Sequence, residues 1–93
     1  MKAQVFINHT ESGNVEVSVI KDGLSFGAAR KYQAMEEAKL VLLVFGFDKE
    51  LVNRQLGTLS NTPPSVLISF PVTEIADEVL KSFGFQAAAF NAA

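Results

Sequence analysis

One six-residue pattern, Leu-x-x-Phe-Gly-Phe, occurs twice in the chain, at Leu42–Phe47 and at Leu80–Phe85. A helix that meets this pattern has to stop. Glycine accepts the left-handed backbone that residues with a Cβ resist, and the ring after it can fold back over the last turn. Reading Gly46 and Gly84 as the first residues past two helices places Phe47 and Phe85 one position further on. Leu42 and Leu80 then occupy the last-turn positions whose apolar contact accompanies a Schellman ending. The echo extends back one turn, matching Ala38 with Ala76 and Val41 with Val79. So short an identity is explained better by two uses of one helix ending than by a duplicated unit. As an exposed docking tag, four Phe rings would invite aggregation.

What precedes the first stop changes period along the way. Lys2 to Asn8 alternate in the manner of a strand, and Val15, Val17 and Val19 follow at strict period two. The intervening His9–Asn14 cluster carries Gly13 and Asn14, residues suited to a turn, so a β-hairpin is predicted. Asp22-Gly23 marks a second turn. Residues Leu24–Gln33 are read as a short third strand ending near Tyr32, with a helix the alternative because Ala28-Ala29-Arg30-Lys31 has helical propensity. From Ala34 the spacing becomes helical, with Met35, Ala38, Leu42 and Phe45 on one face and Glu36 and Glu37 in the first turn. The segment Leu40–Phe45 is apolar all round, which predicts a helix covered on most sides.

Asp48 is placed to cap a second helix over Lys49–Leu59 that buries Leu51, Val52, Leu56 and Leu59. Pro63 and Pro64 mark a loop, because proline neither donates to a ladder nor continues a helix. Ser65–Phe70 reads as a strand that Pro71 terminates. Thr73 is read as the N-cap of a third helix whose apolar stripe is Ile75, Ala76, Val79, Leu80 and Phe83, with an Asp77–Lys81 pair on its surface. Together these predict an α+β domain over residues 1–86, in the order β-β-(β)-α-α-β-α. A small, mainly antiparallel sheet packs against about three helices. Residues 87–93 form an alanine-rich tail that either docks through Phe90 or frays.

Function is far less legible. The 93 residues carry no cysteine, so disulfides and thiolate metal sites are excluded. The single histidine, His9, lies beside a turn. With one histidine, no metal set can be assembled, and no serine lies in a nucleophile-elbow pattern. Adjacent carboxylates at Glu36-Glu37 and Asp77-Glu78 diverge around a helix and read as solvated faces. Gly23 and Gly27 lack the spacing of a phosphate cradle. No catalytic residue, cofactor or metal is therefore assigned, and the chain is expected not to be an enzyme. The N-terminus lacks the apolar segment of a signal peptide and no run approaches a membrane span, so a soluble, cytoplasmic protein is expected.

Two readings remain. With 48% apolar residues and 19% charged, the composition favours a non-catalytic protein-interaction or self-associating module, with Phe70 and Phe90 as contacts for a partner or a second copy. The alternative is weak nucleic-acid binding by the hairpin face, using Lys2, Lys21, Arg30, Lys31 and Tyr32 as cations with a ring for stacking. Net charge is −2 and the basic residues form no stripe in sequence, which argues against a polyanion as the main partner.

Overall fold

A computed structural model describes residues 2–21 and 26–85. Three strands, β1 (Lys2–His9), β2 (Val15–Lys21) and β3 (Phe26–Tyr32), form a meander. Helices α1 (Met35–Val44) and α2 (Lys49–Leu59) follow, then the short strands β4 (Ile68–Ser69) and β5 (Thr73–Glu74), and finally α3 (Asp77–Ser82). All pairing is antiparallel. The spatial order is β3-β2-β1-β4, with β5 also on β1. Read from the other edge this is the 4-1-2-3 order of a Greek key, with α1 and α2 as its long return connection. The predicted α+β architecture and its order of elements are the ones observed.

Period two sorts the sheet into two faces. Ala3, Val5, Ile7, Val15, Val17 and Val19 point to the covered side and are buried, with Ala38, Val41 and Leu42 of α1 and Val52, Leu56 and Leu59 of α2 in the same cluster. The opposite face carries Lys2, Gln4, Phe6, Glu16, Ser18, Ile20, Ala29 and Lys31, each half-buried or exposed. A single helix layer covers a single sheet face.

Both helix stops form as the glycines dictate. Gly46 has φ +104° and Gly84 has φ +80°. Phe47 N–H donates to the Leu42 carbonyl at 3.3 Å and Gly46 N–H to Leu43 at 3.0 Å. In the second copy, Phe85 N–H donates to Leu80 at 2.8 Å and Gly84 N–H to Lys81 at 2.9 Å. These are the two bonds of the Schellman ending. Phe47 and Phe85 are buried, and the two endings meet. Phe45 packs edge-on against Phe83 and Phe85, with ring centroids 6.2 and 5.7 Å away, whereas Phe47 lies 4.6 Å from Phe70. Asp48 caps α2 as expected, accepting from Glu50 N–H at 3.1 Å.

Three expectations need correction. First, α1 is not covered on most sides. Leu40 and Val44, one turn apart, are 60% and 50% exposed. One sheet below and one helix beside α1 leave its outer face in water.

Second, the predicted strand Ser65–Phe70 pairs as a strand only at Ile68–Ser69, because Ser65 takes φ +72° and Val66 N–H closes a turn onto Pro63. Third, Thr73 does not cap a helix. The chain resumes pairing there, Thr73 opposite Ala3 and Glu74 opposite Lys2. Ile7 faces Ile68, and Phe70 N–H donates to Val5. Between Val5 and Ala3 lies one residue of β1, while two residues, Pro71 and Val72, separate Phe70 from Thr73. β4 and β5 are thus one edge strand interrupted by a bulge, which accommodates a proline that has no N–H to donate. The helix starts later, at Asp77, with Ala76 as an N-cap that makes no side-chain bond. Asp77 pairs with Lys21 and not with Lys81.

Candidate functional site

The residues picked out for polyanion binding are brought near one another, and three of the five are turned to internal use. Lys21 ends β2 on the covered face. It is almost fully buried, and its Nζ donates to the Ile75 carbonyl at 2.8 Å and to Asp77 Oδ1 at 2.7 Å. That hydrogen bond, and then the ammonium's charge, holds the Asp77 carboxyl below the usual carboxylate range. Arg30, on the same face of β3, donates through Nη1 to the Phe83 carbonyl at 2.6 Å. Its guanidinium carbon lies 5.8 Å from the centre of the Tyr32 ring, within cation–π range. A short helix is therefore tethered by a cation at each end: Lys21 at its first residue, Arg30 at its last turn. A cation among the terminal carbonyls also complements the helix dipole.

Tyr32 is buried, and its hydroxyl finds no hydrogen-bond partner among the described residues. Burial pushes its pKa up, against the pull of Arg30. A ring so enclosed cannot stack on a base. Lys2 and Lys31 remain exposed on the open sheet face, where Lys2 sits opposite Glu74 and Lys31 opposite Glu16. Neighbouring carboxylates of this kind weaken attraction for phosphate.

Of the protein contacts expected from the sequence, Phe70 is corrected. It is buried against Phe47 and belongs to the core. Phe90 and the tail lie outside the described residues, as does the Asp22-Gly23 turn. His9 is half-buried at the end of β1, its carbonyl accepting from Ser65 N–H and Asn8 Nδ2. Among the described residues no group of three or more His, Asp or Glu side chains gathers into a metal-binding cluster. Among the same residues, no helix is long and apolar enough to cross a membrane.

The two edges of the sheet differ sharply. At the β4–β5 edge the ladder is short, carries Pro71 and the bulge, and is partly occupied, because Gln55 of α2 donates from Nε2 to the Ser69 carbonyl at 2.9 Å. Among the described residues the β3 edge has none of these devices. All seven residues of β3 pair regularly with β2, and no strand lies on its other side among the described residues.

The direction of its free groups follows from alternation. Val5 and His9 carbonyls accept from Phe70 and Ser65, so odd residues of β1 point to β4–β5 and even ones to β2. Carried through the registers, odd residues of β2 bond to β3, leaving Gly27, Ala29 and Lys31 with N–H and C=O directed outwards. Ala29 and Lys31 are exposed. Sequence reasoning missed this edge. A period-two pattern marks a strand but not its position in the sheet. Compared with known protein families, curated proteins and solved structures, the chain matches none of them.

Proposed function

We propose that this chain is a non-catalytic protein-interaction module that accepts an extended backbone along β3. The observation that carries the reading is the β3 edge, where no strand pairs among the described residues and Gly27, Ala29 and Lys31 direct their N–H and C=O outwards. Natural sheets blunt such a row with proline, a bulge, a covering element or charged side chains; this chain uses proline, a bulge and a covering side chain at its other edge, whereas among the outward-facing residues of β3 the one such device is Lys31. Adding a strand to an exposed edge is an established mode of peptide recognition, in which main-chain bonds give affinity. α1, which carries exposed Leu40 and Val44, lies over β2 and β3 and is the nearer of the paired helices to that edge.

Nucleic-acid binding draws less support, since Lys21, Arg30 and Tyr32 have internal partners or are buried. Selection of a displayed random-peptide library on the protein tests the proposal. Peptides should be recovered that bind wild type and slow hydrogen exchange at the Ala29 and Lys31 amides. They should be lost from Ala29→Pro, which removes an outward donor and no bond of the β2–β3 ladder. Peptides that bind both proteins equally would place recognition elsewhere.

A further inference from the structure

Resting on that reading, we infer that the strand received at the β3 edge is β3 of a second copy of this chain, paired antiparallel about a two-fold axis through Ala29. Three requirements agree on the same register. The first is overlap. Phe26–Tyr32 is centred on Ala29, so a dyad there aligns all seven residues with their symmetry mates. The second is hydrogen bonding. Only an axis at Ala29 pairs all three outward-facing residues of β3 among themselves, with the two copies of Ala29 exchanging N–H and C=O bonds. Gly27 then exchanges bonds with Lys31 of the second copy, and Lys31 with its Gly27, so every outward group on β3 is used.

Charge supplies the third requirement. With the axis at Ala29, Lys31 faces Gly27 and Arg30 faces Ala28, so no like charges are opposed. Moving the axis to Arg30 or Lys31 sets two cations directly across from each other, which is destabilising. The Arg30 register also places Gly27 opposite a residue beyond the end of β3, so one outward group loses its partner strand. Parallel pairing in register would oppose both cations at once. An isologous contact of this kind closes on itself and gives a dimer, not a fibre. The two sheets become one continuous sheet with helices on the same side, and each α1 is brought towards its symmetry mate.

The test uses the full chain in sedimentation equilibrium from micromolar to millimolar concentration, with Ala29→Glu and Ala29→Lys alongside wild type. Ala29 is exposed on the uncovered face, so far-UV circular dichroism should be unchanged in both variants. Wild type should dimerise. Each variant alone should weaken dimerisation about tenfold or more, because like charges meet at the axis, and an equimolar mixture of the two should recover a heterodimer. Wild type that stays monomeric throughout overturns the dimer. If library peptides still bind and still require Ala29, the interaction-module reading stands without it. A dimer indifferent to either charge overturns the pairing, and its interface is another surface.

Discussion

The two Phe-Gly-Phe endings are the same in sequence and different in their surroundings. At Gly46 a side chain would point into open space; at Gly84 a Cβ would collide with the Arg30 guanidinium that reaches across to Phe83. Local chemistry makes both stops, while tertiary structure uses only the second as a seat for a cation. The rings after the glycines diverge as well. Phe47 leaves its helix to pack on Phe70 near the sheet edge, and Phe85 packs on Phe45 of the other ending. A shared motif therefore guarantees a shared backbone and nothing about shared contacts.

Truncating the leucines that both endings share should have the largest effect and treat the two alike. Leu42 and Leu80 are fully buried, and Leu42→Ala and Leu80→Ala should each cost about 3 kcal/mol in urea denaturation. A loss below about 1 kcal/mol at either would mean that ending is not built into the core.

The glycines come next. Gly46 at +104° stands farther from the left-handed well near +57° than Gly84 does, so backbone strain is at least as large there. Gly46→Ala and Gly84→Ala should each cost about 2 kcal/mol. What separates them is coupling. In an Arg30→Ala background the cost at Gly84 should fall by about 1 kcal/mol and the cost at Gly46 should not change. Equal behaviour in the two cycles would break the comparison.

The α3 tether is probed by acid. Asp77 titrates below its unfolded value, so its contribution to stability is present above about pH 4 and is lost as pH falls through the lower folded value. Asp77→Asn should therefore flatten the acid limb of the stability curve and lower stability at neutral pH. That variant leaves the buried Lys21 ammonium without its carboxylate. A limb unchanged by the substitution would show that other carboxylates set it.

Tyr32 gives the smallest effect and the opposite sign. Tyr32→Phe removes a buried hydroxyl that has no partner among the described residues, and should be neutral or stabilising by up to about 1 kcal/mol. Because burial raises its pKa, wild type should also lose stability above about pH 10, where the unfolded chain ionises first, and Tyr32→Phe should not. A clear destabilisation would reveal a partner for the hydroxyl.

Much of the layout could be read from neighbouring residues alone. The hairpin follows from valines at period two, the start of α2 from the carboxylate of Asp48, and the ends of α1 and α3 from two glycines. In each case the deciding interaction spans fewer than six residues, so the segment carries its own instruction. Thr73 shows where that logic fails. Its side chain suits a helix N-cap, yet β1 had unpaired groups at Lys2 and Ala3, and a sheet edge outweighed a cap. Neither Leu40 nor Val44 could be assigned to water or core from its apolar neighbours, since that depends on how many layers the fold stacks.

Most of all, the roles of Lys21 and Arg30 were settled by residues more than 50 positions away, which put a carboxylate and a helix terminus within reach. Short-range sterics and capping act before the chain is folded and leave a mark in the sequence. Which edge of a sheet stays open, and which charge finds a partner, arises only once distant segments share a surface.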